Sequence, residues 1–432
     1  MFCRRRRITR SLVAVGLVGI VLLGSTAATS RRPAHSVVNI VMWQQWGGGH
    51  EKRTLDKYIA LFNKTHPGIH VSEIAVRDNT KIVAAISGGR PPDLMDLGST
   101  ATLGQWAHDG LLQPVDSYIT ASHIDVGAFY PSGWKAVTFK GKRWGVPFMN
   151  FNIGLVYNRA LFRQAGITHP PRTLEELDKD AAKLTVIKNG RIVRMGFIPD
   201  YPMNNLEVYA WLFGGDWFKD NKSIAADPAN VQALEWETSY YKKYGASNVK
   251  RFMSGFGAYL TAADGFESGK VAMMYDGEWN IAFVHENVPS FQVGAAPFPA
   301  PAARRDRTGT SYIDTNPQVI PTGAAHPKEA FEFIKWETTN PQLCAEYATL
   351  IINLPQLKHV PQPPLFKDPN FQVFLKEANG PNAHQLPQTP ISTQFGTNLG
   401  NAEQAALLGK STPQQALLSL QQMTQQELNS AH

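Results

Sequence analysis

The side chains with chemistry to offer fall in three short runs. Trp43-Gln-Gln-Trp46-Gly-Gly-Gly49 places two indoles and two amides beside glycines. Flat aromatic faces pack on apolar C–H surfaces, amides pair with hydroxyls, and glycines let a ligand approach the backbone closely. That combination suits a polyol or sugar, so Trp43, Gln44 and Trp46 are candidate contacts. Asp276-Gly-Glu-Trp279 again sets an indole beside carboxylates, which adds Asp276, Glu278 and Trp279. Asn150-Phe151-Asn152 flanks a single ring with amides and contributes all three residues. Gly98, Ser99 and Thr100 offer backbone and hydroxyl donors. Tyr201, Trp211 and Asp216 are further candidates, with Tyr312, Asn316 and Phe395 behind them. Trp106, Trp134, Trp144, Trp217, Trp236 and Trp336 are assigned to packing.

Two carboxylates beside a sugar are also the equipment of a glycoside hydrolase. Asp276 and Glu278 could superficially be read as such a pair, but no other feature points to catalysis. The chain has no Gly-x-Ser-x-Gly elbow, no phosphate-cradling loop with Lys and no His-Glu-x-x-His. Its 12 histidines are scattered, and Pro67-Gly68 separates His66 from His70, so those two cannot share a helix face. No catalytic residue, metal ligand or cofactor is expected. A carbohydrate-active hydrolase or lyase, and a receptor for a non-sugar solute, remain the alternatives.

The elements that would position these groups follow from periodicity. Val37–Met42 is an apolar, β-branched run that reads as a buried strand delivering Trp43 at its C-terminal end, where open α/β sheets bind ligands. Glu51–Lys64 carries Leu55, Tyr58, Ile59 and Phe62 at helical spacing and is stopped by Pro67-Gly68. Ile69–Val76 is a second strand, Lys81–Ser87 a second helix and Asp93–Leu97 a third strand. Strand–helix alternation of this kind implies parallel pairing with right-handed crossovers. Further helices are predicted over Thr173–Leu184, Asn230–Tyr244, Lys328–Glu337, Asn340–Leu350 and Pro413–Leu428, and a strand over Val271–Met274. With 432 residues the chain exceeds one compact core.

The first residues read as an export leader. Arg4–Arg7 and Arg10 precede the apolar Leu12–Leu23, and small residues follow from Gly24 to Ser30. Twelve helical residues span about 18 Å, short of the roughly 30 Å hydrocarbon layer. A cleavable signal over residues 1–28 is expected, ending near Ala27 or Ala28. Ser25 stands where a lipoprotein would need Cys. The formal net charge of +7 is largely this leader: without its five arginines it falls to +2, and no basic stripe remains for a phosphate backbone. Nucleic acid is therefore not expected as a partner. Of the two cysteines, Cys3 lies in the leader and Cys344 in an apolar helical context.

Several ordered motifs carry a resemblance. Gly141-Lys-Arg-Trp-Gly-Val-Pro147, Gly154-Leu-Val-Tyr-Asn158, Leu161-Phe162, Ala165-Gly166 and Pro170–Leu177 come first. Phe62-Asn63 with Pro67–Ile69, Pro91–Leu94, Gly214–Asp216, Phe266–Met274 leading to Gly277–Trp279, and Leu408–Leu417 complete the set. Together, over roughly residues 37–428, the chain resembles the extracellular solute-binding proteins of ABC importers, in the group that includes maltose- and glycerol-phosphate-binding members. The resemblance implies a type II periplasmic-binding-protein fold: two α/β lobes, each a mixed sheet flanked by helices, with the ligand cleft between them. It implies lobes over 36–148 plus 300–352 and over 152–294 plus 357–432. The chain would cross near Phe148–Asn152, Gly294–Ala300 and Ile352–Leu357. It further implies a carbohydrate ligand, delivery to membrane permease subunits, and a monomer free in the periplasm or at the cell surface. In this family the Trp of the Gly277–Trp279 motif commonly stacks on sugar. Maltose-binding members carry a carboxylate near Phe151, so maltodextrin specificity does not transfer.

Overall fold

A computed structural model describes residues 36–46 and 49–431. The expected leader, and Gly47 and Gly48 of the glycine run, lie outside the described residues. A nine-stranded mixed sheet organises the chain. Its strands are β1 (Val38–Gln44), β2 (Ile69–Ala75), β3 (Leu94–Asp96), β4 (Val146–Asn158), β5 (Met273–Gly277), β6 (Val293–Ala296), β7 (Ser311–Val319), β8 (Leu354–Pro355) and β9 (Ala383–His384).

β1 pairs in parallel with β2 and β3, as the strand–helix alternation implies. The intervening helices form as their patterns predict. Gly49–Thr65 buries Leu55, Tyr58, Ile59 and Phe62. Asn79–Ser87 is capped by Asp78, whose carboxylate accepts from the Thr80 and Lys81 N–H groups. Helices also span Leu174–Leu184, Pro228–Tyr244, Pro327–Thr339, Pro341–Ile351 and Pro413–Ser430. Thr173 caps the first of these through the Glu176 N–H. No helix among the described residues is long and apolar enough to cross a membrane.

Two hydrophobic cores lie along the sheet, one in each lobe. Ile40, Met42, Phe62, Phe148, Phe333 and Tyr347 belong to the first. Leu155, Phe197, Tyr209, Trp217, Tyr275 and Phe298 belong to the second. β4 is the long strand that joins them: Phe148 and Met149 point into the first core, Ile153 and Leu155 into the second. Its first half pairs with β7 and β8, its second with β5 and β6. The transition thus falls between Met149 and Ile153.

The second passage lies later than the Pro-rich segment at 294–300. There β6 still pairs with the second half of β4, and Phe298 and Ala300 are buried in the second core. The chain changes lobes instead within β7, where Tyr312 packs on the second core and Val319 sits in the first. The third passage is also extended: Leu357, Phe366 and Phe371 pack in the first core before Phe374, on the same helix as Phe371, joins the second. Proline composition marks irregular backbone only from Pro297 onward, since Val293–Ala296 is a paired strand, and it does not mark the residues that leave one core for the other.

The tryptophans assigned to packing do pack: Trp106, Trp134 and Trp217 are buried, and Trp144, Trp236 and Trp336 lie against the cores. Cys344 is fully buried and burial pushes its thiol up to about 12, as befits a small core residue rather than a nucleophile.

Candidate functional site

A cavity of about 510 Å³ opens between the two cores, within the range of small-molecule sites, roughly 300–1,000 Å³. β7 supplies its floor. Tyr312, Asp314 and Asn316 alternate along the strand, so all three face the same side and all line the cavity. Asp314 is the organising group. It accepts from the Thr100 N–H at 3.0 Å, the Thr100 hydroxyl at 2.6 Å and the Tyr312 hydroxyl at 2.8 Å. Asn316 Nδ2 donates to the Gly98 carbonyl at 2.6 Å. One strand thereby fixes both the turn Gly98–Thr100 from the first lobe and a tyrosine on the second.

The aromatic wall is built around Trp279. The Phe151 ring meets it edge-on, with centroids 5.5 Å apart and planes at 85°, and lies 6.3 Å from Tyr312. The Trp279 indole N–H donates to the Tyr259 hydroxyl at 2.9 Å, which in turn donates to Asp276 at 2.7 Å. Gly277 makes this possible, because a Cβ there would sit 1.9 Å from the indole ring. Trp211 does not line the cavity. It is buried and stacks on Tyr312 and on His384, with centroids 6.3 and 5.0 Å away, and so supports Tyr312 from behind.

Of the residues expected from sequence, Trp46, Ser99, Phe151, Trp279 and Asn316 line the cavity. So do Gly98, Thr100, Tyr312 and Phe395. The others do not. Trp43 lies half-buried against the first core. The Gln44 amide is buried and donates to Glu73 at 2.8 Å. Asn150 donates to Gln356 at 3.2 Å, and Asn152 to the Ser311 hydroxyl at 3.1 Å, both in the sheet interior. Asp216 is exposed and accepts from the Trp217 N–H at 2.7 Å. Tyr201 is buried beneath Phe266, whose N–H it accepts at 3.2 Å.

Asp276 and Glu278 are both fully buried behind the wall rather than at the cavity surface. Burial raises the Asp276 carboxyl to about 7 and that of Glu278 well above the usual range. Glu278 accepts from the Asn152 N–H at 3.1 Å. Their sequence neighbourhood suggested ligand contacts, but both hold the backbone and, through Tyr259, the indole.

Two carboxyls that the sequence did not single out do reach the cavity, Glu51 from the first lobe and Glu207 from the second. Burial is the main cause of both rising to about 7; nearby Arg77 opposes the shift at Glu51. A segment from Gln385 to Gly396 closes another side. Gln388 Nε2 reaches the Thr100 hydroxyl at 3.1 Å, and its Oε1 accepts from the Gly104 N–H at 2.9 Å. Glu51 follows the glycine run by two residues, and that proximity was the one sequence signal available. The Gln385–Thr389 stretch has no periodicity to reveal it.

No Lys, Arg or His is among the described residues lining the cavity. No group of three or more His, Cys, Asp or Glu among the described residues is arranged to hold a metal ion. The site can therefore stack flat apolar faces and exchange hydrogen bonds with hydroxyls, with no fixed positive charge for an anion.

Residues 48–342 match the family described as bacterial extracellular solute-binding protein, and the chain belongs to that family. The mannotriose-bound structure of CpMnBP1 is 33% identical, with a TM-score of 0.83, and the match covers 90% of this chain and 100% of that one. The maltotriose-binding protein of Pyrococcus abyssi is 26% identical over 71% of this chain and 63% of its own length. The mannitol-binding protein of Pseudomonas aeruginosa is 24% identical over 86% of this chain and 89% of its own. The fold is that of the type II periplasmic binding proteins, and the relatives are binding proteins rather than enzymes.

Proposed function

We propose that this protein captures a short neutral oligosaccharide between its lobes and delivers it to the membrane permease of an ABC importer, without catalysing any reaction on it. The observation that carries the ligand class is the cavity lining: an aromatic wall of Phe151, Trp279 and Tyr312 faces hydroxyl, amide and carboxyl groups, with no cation among the described lining residues. Sugars match that pairing of flat apolar faces with hydroxyl rims. A glycerol-phosphate-type ligand would meet Glu51, Glu207 and Asp314 with no counter-charge, which disfavours it. The mannotriose- and maltotriose-binding relatives support a ligand of three hexose units.

The ligand contacts in this reading are Trp46, Ser99, Phe151, Trp279 and Asn316, joined by Glu51, Glu207, Tyr312 and Gln388. Lobe 1 comprises 36–149 with the stretch from the end of β7 to Phe371, and lobe 2 the remainder. Residues 1–28 act as a cleaved export signal, so the mature chain works as a monomer in the periplasm or at the cell surface. Ser25 in place of a lipid-bearing Cys supports a form without lipid there. The +2 charge left after the leader supports independence from nucleic acid. The hydrolase alternative loses its acid pair, since Asp276 and Glu278 do not reach the cavity.

A thermal-shift series on residues 29–432 tests the ligand class. Mannobiose, mannotriose and maltotriose are compared with mannitol and glycerol 3-phosphate. Saturation at about a hundred times Kd stabilises the folded state by about 2.7 kcal/mol. A neutral oligosaccharide is expected to give the largest rise in Tm. A rise with glycerol 3-phosphate alone would overturn the proposal.

A further inference from the structure

We propose that Glu286, with Arg53 and His50, forms a clamp outside the cavity that sets the ligand affinity by stabilising the closed arrangement of the lobes. The inference rests on the binding function proposed above. Helix Gly49–Thr65 is rooted in the first core through Leu55 and Phe62, and helix Trp279–Asn287 in the second through Ile281 and Val284. Each sends one residue of its first turn into the cavity, Glu51 and Trp279. Away from the cavity, the two helices meet directly. The Arg53 guanidinium donates to one Glu286 carboxylate oxygen at 2.8 Å, and His50 Nδ1 lies 2.9 Å from the other.

The Phe283 ring completes the contact, with its centroid 4.4 Å from that of His50. Arg53 and His50 together hold the Glu286 carboxyl below its usual range. None of the four residues lines the cavity. Gln385–Gly396 also bridges the lobes, but it touches the cavity, so its contacts report on ligand and closure together. The clamp reports on closure alone.

An interaction made only when the lobes meet shifts the open–closed equilibrium by its full free energy, and apparent affinity follows the closed population. Exposed ion pairs are individually weak, so the effect is modest. Arg53 is 66% exposed and Glu286 35%, which fixes that scale.

The test is Glu286→Gln in the mature chain, with mannotriose as the probe. Kd is expected to rise about fivefold through faster dissociation. The ligand-free radius of gyration is expected to increase while Tm holds. Arg53→Gln combined with Glu286→Gln should weaken binding no further than Glu286→Gln alone, because both remove one interaction. Unchanged Kd and unchanged radius of gyration would overturn the clamp. If the wild type ignores mannotriose, the ligand-free scattering decides: a larger radius in Glu286→Gln supports the clamp and an equal one removes it.

Discussion

The two lobes build their halves of the cavity from different materials. The first lobe offers a turn, Gly98–Thr100, held in place by Asp314 and Asn316 and presenting the Ser99 hydroxyl, plus Trp46 wedged near Phe148 and Tyr347. The second offers rings held by other side chains: Trp279 through Tyr259 and Asp276, and Tyr312 through Trp211. The Ser99 hydroxyl on that turn reads a hydroxyl position, because hydrogen bonds are directional. Supported rings supply contact area that tolerates variation in the sugar. Capture then requires both halves, and β7, which carries Tyr312 and holds Thr100, ties them together.

Removing the second lobe's main ring should do the most damage. Trp279→Ala is expected to weaken mannotriose binding by about 2 kcal/mol, roughly thirtyfold in Kd, as read by titration calorimetry. Gly277→Ala sharpens the same point without touching the ring. Its new Cβ must displace the indole, so affinity should fall about tenfold and the tryptophan emission should shift in the ligand-free protein.

A pH experiment separates the first lobe's core from the site. Glu337 is fully buried there; it accepts from the Tyr347 hydroxyl at 3.0 Å, and burial pushes its carboxyl up to about 8. Its folded value exceeds the ordinary 4.5, so the folded state holds the proton longer than the unfolded chain. Stability from this group is complete below about pH 4.5 and is lost as pH rises towards 8. Glu337→Gln should flatten that decline in Tm and leave the variant more stable than the wild type at pH 8. An unaltered slope would assign the decline to other groups, such as the second-lobe pair Glu237 and Glu403, which burial also raises. Ser99→Ala has the smallest expected effect, about threefold in Kd, because it removes a single hydroxyl.

How much of this was legible in the sequence depended on whether period or partner decides. β1, β2 and the helix Gly49–Thr65 follow from runs with a clear period, and the capping at Thr173 follows from its spacing to Glu176. Trp279 and Phe151 were legible as rings beside polar groups. Their neighbours were misread for a physical reason: at Asp276, Glu278, Asn150 and Asn152, local sequence cannot tell a polar group aimed at a ligand from one satisfied inside a sheet. Asp276 is the clearest case, since its partner Tyr259 lies 17 residues away along the chain. Glu207 was hidden in an otherwise apolar helix, Leu206–Phe213, and the lobe passage within β7 lay in a largely polar stretch, interrupted by Pro317, that does not read as a central strand.

Titration calorimetry of residues 29–432 with mannotriose, on wild type and Trp279→Ala in parallel, tests the central claim most directly. One binding event per chain is expected in the wild type, with no turnover of the sugar and roughly thirtyfold weaker binding in the variant. Equal affinity in the two proteins, or hydrolysis of the trisaccharide, would contradict it.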